Sequence, residues 1–162
     1  MMATPALAEE VRIAPGGGDH LDEVMTVMNS AFGDRFGEAW TRSQLSGILP
    51  MAGVSLTIAV DRREESVVGF SLVRTVAKES ELLLIAVLED QQGRGVGGLL
   101  LDHFLDQARE EGVARVHLEV RDGNSAISIY RAAGFSPVGR RRNYYHAVGG
   151  NRYDAITLAR EL

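Results

Sequence analysis

The sequence predicts an α/β or α+β fold: a mixed, mostly antiparallel sheet of about seven strands flanked by four helices. Three observations point there. Apolar segments with strand and helix periodicities follow one another in the order β-α-α-β-β-β-α-β-α-β-β. Three of the strands are separated only by short charged turns, the mark of an antiparallel meander. A glycine-rich turn then joins an apolar strand to a helix, with another strand and helix behind it, which calls for a crossover at the centre of the sheet.

Taken in order, residues 10–14 read as a strand that leads through Pro15-Gly16-Gly17-Gly18 into a helix capped by Asp19, with Leu21, Val24, Met25 and Met28 at helical spacing. A shorter helix follows near 41–49, after Trp40. Val54 to Val60, Val67 to Ala77 and Glu81 to Leu88 are strands. Val96 to Glu111 is a helix with Leu99, Leu100, Phe104 and Leu105 inward, closed by Gly112. Val113 to Val120 is a strand, Asn124 to Ala133 a helix ended by Gly134, and strands near 136–145 and 152–160 complete the series.

The 162 residues suit one domain over 1–162, with 45% hydrophobic and 24% charged positions. Cysteine is absent, which removes disulfides, thiolate zinc sites and a cysteine nucleophile. The four histidines (His20, His103, His117, His146) lack metal-ligand spacing, so no metal is expected. A net charge of −5, from 17 basic and 22 acidic residues, argues against broad nucleic-acid binding. No apolar run reaches the length of a membrane span. The start, MMATPALAEEV, has no basic region followed by an apolar core. A soluble cytoplasmic protein with no direct nucleic-acid or membrane partner is the expectation; composition is silent on oligomeric state.

The turn Gln92-Gly93-Arg94-Gly95-Val96-Gly97-Gly98 sits between a strand and a helix N-terminus. Free amides, the helix dipole and missing β-carbons make that arrangement able to hold an anion such as a phosphate. A bland tight connection would use the same residues. It is not a Walker A loop, since Gly98-Leu99 stand where Lys-Ser/Thr is needed. A dinucleotide fingerprint fits the letters loosely, but a meander rather than βαβ repeats precedes it.

Gln92-x-x-Gly95-x-Gly97 does match the Q/R-x-x-G-x-G/A motif of the GNAT superfamily of N-acetyltransferases. The block LLLIAVLEDQQGRGVGGLLLDHFLDQARE resembles that family's acetyl-CoA core, and VHLEVRDGNSAISIYRAAGF its following strand and helix. The tail GRRRNYYHAVGGNRYDAITLA is similar to the ribosomal-protein-alanine N-acetyltransferases of the RimI type. These segments cover about residues 81–160. Two departures fall where the acceptor would bind: Gly37-Glu38-Ala39 lacks a proline before Trp40, and Arg152-Tyr153 precede Asp154 where an acidic residue is common.

The resemblance implies a GNAT fold, acetyl-CoA as cosubstrate, and a protein N-terminus, that of a ribosomal protein, as acceptor. It also assigns roles. In the strand Val113 to Val120, His117 and Glu119 lie opposite Val116, Leu118 and Val120. Alternation alone leaves Glu119 as a solvated strand residue; the resemblance makes it the general base. Tyr130 on an apolar helix face reads as core, and the resemblance makes it the general acid at the coenzyme sulfur. Asn124 either caps its helix or contacts the pantetheine arm, or both. Backbone groups of Ile85, Ala86 and Val87 would pair with pantetheine, with the Val87 amide as oxyanion donor. Gln92, Gly93, Gly95, Val96, Gly97 and Gly98 would form the phosphate turn, and Arg94 either reaches the pyrophosphate or stays solvated. Trp40, Tyr144 and Tyr145 would line the acceptor groove, the tyrosines having sheet packing as their alternative. Arg140, Arg141 and Arg142 read as mostly surface. Without cysteine, transfer would be direct. The same fold acting on a small-molecule amine or lysine, or a non-catalytic acyl-CoA-binding module, are the rival readings.

Overall fold

The computed structural model describes residues 5–162; Met1 to Thr4, the start of the N-terminal segment discussed above, lie outside the described residues. The elements are α1 (Pro5–Glu10), β1 (Val11–Pro15), α2 (Leu21–Ala31), α3 (Arg42–Ile48), β2 (Val54–Asp61), β3 (Ser66–Val76), β4 (Glu79–Val87), α4 (Val96–Glu110), β5 (Arg115–Arg121), α5 (Ile127–Ala132), β6 (Ser136–His146) and β7 (Arg152–Glu161). The seven strands form one sheet in the order β1-β2-β3-β4-β5-β7-β6. Among the described residues only β4 and β5 pair in parallel, through the crossover helix α4. The mixed, mostly antiparallel sheet is therefore as expected, and α1 is added to the four expected helices.

Local chemistry explains the boundaries. Thr41 caps α3 by accepting from the Gln44 amide at 3.1 Å, while the Gln44 side chain accepts from the Thr41 amide at 2.8 Å. The expected Asp19 cap is corrected. Gly18–His20 form a 3-10 turn that runs directly into α2, so Asp19 lies inside that turn with its side chain exposed. His20 stands at the N-cap with no side-chain cap bond, and its ring instead accepts from the Gly17 amide at 3.1 Å. The helix expected from Asn124 starts at Ile127, because Asn124 Oδ1 accepts from the Ala126 amide at 2.9 Å and holds a tight turn ahead of it.

Helices cover both faces of the sheet. On one side Val24, Val27 and Met28 of α2 and Leu45 of α3 pack on Leu56, Ile58, Phe70, Leu72, Leu84 and Ala86. On the other, α4 and α5 pack on Leu82, Val116, Leu118, Val120 and Leu158. Strand β4 changes sides within three residues: Leu82 joins the α4 face and Leu84 the α2 face. The cause is a β-bulge. Leu72 pairs with Leu84 and Val73 with Leu82, which leaves Leu83 as the extra residue on β4.

Leu100 is fully buried in α4, packed with Val68, Val87 and Val96. Leu100→Ala is expected to cost about 2–5 kcal/mol, the range for a buried leucine that leaves a cavity. Urea denaturation checks it, and a loss well under 1 kcal/mol would show that α4 is not the clamp on this face.

Candidate active site

The bulge at Leu83 coincides with a split in the sheet. Pairing of β4 with β5 runs from Glu79↔Arg115 to Leu82↔Leu118 and ends there. Beyond it β4 stays with β3, and β5 continues with β7 through Glu119↔Thr157 to Arg121↔Ala155. A cleft of about 800 Å³ opens between the diverging strands, lined by Leu83 to Val87, the glycine turn, Glu119 to Arg121, Tyr130, Tyr144 and Tyr145.

Backbone direction in this cleft follows from strand alternation. Leu88 donates its amide to Val68 at 2.9 Å, so Leu88 and Ala86 turn their backbone groups toward β3. Ile85 and Val87 therefore present theirs to the opposite edge, where β5 has left. The Val87 carbonyl accepts from Gln92 Nε2 at 3.0 Å, which leaves the Val87 amide aimed at the cleft. Of the three expected residues, Ile85 and Val87 supply polar groups and Ala86 supplies packing.

The turn itself ends at Gly95, the α4 N-cap, with φ +97°, a left-handed conformation that disfavours any β-carbon. The first helical bond is Leu99 N–H to Gly95 O at 3.0 Å, so the amides of Val96, Gly97 and Gly98 have no partner in the helix. All of Gln92, Gly93, Gly95, Val96, Gly97 and Gly98 line the cleft. Arg94 does not. Its guanidinium pairs with Glu10 at the end of α1 and with Gln91, so the contact expected of it with a pyrophosphate is not prepared in this structure.

The opposite end holds two carboxylate–guanidinium pairs. Glu119, 17% exposed, forms an ion pair with Arg141, its Oε1 2.7 Å from Nε, and Arg141, 62% exposed, lies 5.4 Å from the Tyr144 ring centroid. Glu38, 11% exposed, accepts from Arg121 Nε and from Asn124 Nδ2, each at 3.1 Å. Arg121 is 12% exposed and stacks on Phe36 at 3.6 Å. Asn124 thus does cap its turn, with its carboxamide nitrogen directed to Glu38. Burial, then the Glu38 charge, pushes the Tyr130 phenol well above its ordinary value. Burial does the same for Tyr145, followed by Glu38 and Glu119, so that hydroxyl lies in the field of both carboxylates. Tyr144 is half exposed and packs edge-on against Tyr145 at 5.0 Å. Trp40 lines the cleft from the α2–α3 loop.

Two devices aim this end. The α2–α3 loop presses on the β6–β7 hairpin at Gly37, where φ is +73° and a β-carbon would fall 2.1 Å from the His146 carbonyl oxygen. In β6 the register shifts between Arg141 and Tyr145 around Asn143, at φ +53°. Asp154 holds that bulge by accepting from the Asn143 amide at 2.9 Å and from Arg140 at 2.7 Å, and these two contacts, the amide first, keep its carboxyl below the usual value. Glu38 and Arg121 were not expected as site residues. Arg121 shares Glu119's strand face, but Glu38 is 83 positions away from it, a separation no local pattern spans.

Comparison with known proteins agrees with this geometry. The Acetyltransferase (GNAT) family model matches residues 21–135. The chain is 42% identical over 93 residues to the ribosomal protein bS18-alanine N-acetyltransferase of Haemophilus influenzae, covering 57% of this chain and 64% of that relative. Its counterpart in Salmonella typhimurium is 36% identical over 121 residues, 74% of this chain and 79% of the relative. The crystal structure of the ribosomal-protein alanine N-acetyltransferase from Escherichia coli superposes with a TM-score of 0.84 at 28% identity, covering 93% of each chain.

Glu38→Ala strands the buried Arg121 charge, and a loss of about 3–5 kcal/mol is expected from denaturant unfolding. Glu38→Gln, which can still accept from Arg121, should lose clearly less. Equal losses would mean that loop packing, not charge, fixes Glu38.

Proposed function

The chain belongs to the GNAT acetyltransferase family, and from that premise we propose that it is an acetyl-CoA-dependent N-terminal acetyltransferase acting on the alanine terminus of a small-subunit ribosomal protein. The carrying observation is the split between β4 and β5. It presents the Val87 amide, the free amides of α4, Glu119 and Tyr130 to one cleft. The names of the relatives support the acceptor.

In this reading acetyl-CoA lies in the split, its pantetheine pairing with Ile85 and Val87 as an added strand and its pyrophosphate on the amides of Val96, Gly97 and Gly98. The acceptor enters from the side of Trp40, Tyr144 and Tyr145. Glu119, directly or through a water, takes a proton from the α-ammonium, and the neutral amine attacks the thioester carbonyl. The Val87 amide stabilises the oxyanion. As the C–S bond breaks, Tyr130, kept protonated by burial and the Glu38 charge, gives its proton to the coenzyme thiolate. The second proton that the attacking nitrogen sheds as the amide forms returns to the Tyr130 oxygen, leaving Glu119 to release the first to solvent. No cysteine is present to carry the acetyl group, so transfer is direct. An acceptor end lined with aromatic rings, whose carboxylates are each matched by an arginine, favours a peptide terminus over a polyamine. The reading puts the protein in the cytoplasm, where its acceptor is made; no helix among the described residues is long and apolar enough to cross a membrane.

Acetyl-CoA at 100 times its dissociation constant should stabilise the fold by about 2.7 kcal/mol, read as a rise in Tm. Gly95→Val should remove that rise, since a β-carbon at φ +97° strains the turn and crowds the amides. Stabilisation by ATP or NAD and not by acetyl-CoA would overturn the cofactor assignment.

Glu119→Gln should lower kcat about 10²–10⁴-fold with acetyl-CoA affinity little changed, and Tyr130→Phe should also slow turnover. Unchanged turnover returns Glu119 to a mere strand residue. The acceptor is tested with peptides. At pH 7.5 about a quarter of an α-amine with pKa near 8 is neutral, against about one part in 800 of a lysine near 10.4. A peptide beginning with alanine and followed by basic residues should react at least about tenfold faster than its N-terminally blocked form bearing an internal lysine. A faster lysine peptide or polyamine would reassign the acceptor and leave the acetyltransferase.

A further inference from the structure

The two carboxylate–guanidinium pairs at the acceptor end have the same chemistry and different accessibility, and their difference assigns a further role. Glu38 and Arg121 are both nearly buried, and Arg121 is also stacked on Phe36. That pair is fixed. Arg141 reaches Glu119 from the exposed edge strand β6, with its own side chain largely in solvent. Solvent reaches the guanidinium side of this pair and screens it, although Glu119 itself is largely covered.

We propose that the position of the Arg141 guanidinium on Glu119 is the subsite of the acceptor's α-ammonium, and that Arg141 is the counter-ion which the substrate displaces. This rests on the reading of Glu119 as the residue that receives the amine. A cation must leave Glu119 before a cation arrives, so the charge of the cleft stays balanced at each stage. Glu119 cannot borrow Arg121 instead, because Glu38 holds it. The displaced guanidinium has the Tyr144 face beside it to rest on. Arg141 therefore sets acceptor affinity without touching the reacting atoms; it is a specificity-determining residue for cationic amines.

Arg141→Met keeps the apolar stem and removes the competing charge. Peptide KM should fall about two- to fivefold, the range that an exposed ion pair supports, with acetyl-CoA affinity unchanged. Arg141→Lys should keep the wild-type KM. Millimolar guanidinium chloride, compared with sodium chloride at equal ionic strength, should compete with peptide in Arg141→Met and far less in the wild type. Calorimetric titration of guanidinium into the free proteins gives the same test without turnover: binding to Arg141→Met, lost in Arg141→Met/Glu119→Gln. An unchanged or raised peptide KM together with no guanidinium binding overturns the proposal. Full turnover in Glu119→Gln instead sinks the general base, while the calorimetric result still decides whether the subsite exists.

Discussion

Everything at the site depends on one break in pairing: β4 and β5 part after Leu82 and Leu118. Backbone groups in a sheet interior must be paired or solvated, and parting the central strands leaves those of Ile85 and Val87 without a strand partner. The bulge at Leu83 produces the break. It bends β4 toward β3 and moves its side chains to the opposite face, so Leu84 and Ala86 anchor the diverging strand under α2. Meanwhile β5 is held by seven register partners on β7, from Arg115↔Glu161 to Arg121↔Ala155, and cannot follow. The gap is thus stabilised by the core on both sides, and a ligand with amide groups of its own can occupy it as a strand would.

The same split sets where charge can sit. The glycine turn places the α4 N-terminus at one mouth of the cleft, where unpaired amides and the helix dipole favour an anion. The other mouth is bounded by β5, the β6–β7 hairpin and the α2–α3 loop, and carries Glu119 and Glu38. In the proposed reading the α4 end would take the polyanion of a coenzyme A thioester, and the other end, where each carboxylate now faces an arginine, would take the amine. The α2–α3 loop is not free to drift from this arrangement: Glu38 ties it to β5 and to Asn124, and Gly37 lets it abut the His146 backbone.

Much of this was legible in the sequence because it is local. Period-two and period-3.6 patterns placed all seven strands and four helices, and the spacing of Gln92, Gly95 and Gly97 marked the turn that holds the α4 amides. Alternation along β5 put Glu119 opposite Val116, Leu118 and Val120, as it stands. What stayed hidden is relational. Asp19 carries a standard capping residue's chemistry, yet a 3-10 turn over Gly18–His20 places it one residue ahead of the N-cap position, which His20 occupies. Arg94 looked available to a phosphate, and only the added helix α1 shows Glu10 holding it. The Glu38–Arg121 pair joins a loop and a strand 83 positions apart, and the arginine run of β6 gave no sign that Arg141 alone would turn to Glu119.

The two ion pairs also divide labour between stability and turnover. A buried pair gains little net energy over an apolar substitute but is costly to break, so Glu38–Arg121 acts as a fixed point: it specifies where the loop sits. The Glu119–Arg141 pair has one partner in solvent, where screening weakens it, so the proposed exchange for substrate would disturb the fold less than breaking Glu38–Arg121. Tyr145 lies in the field of both carboxylates and is held by a bulge that Asp154 pins from β7. If Arg141 is displaced as proposed, a charge on an edge strand and a second one between loop and core would let the site change its electrostatic partner while its frame stays in place.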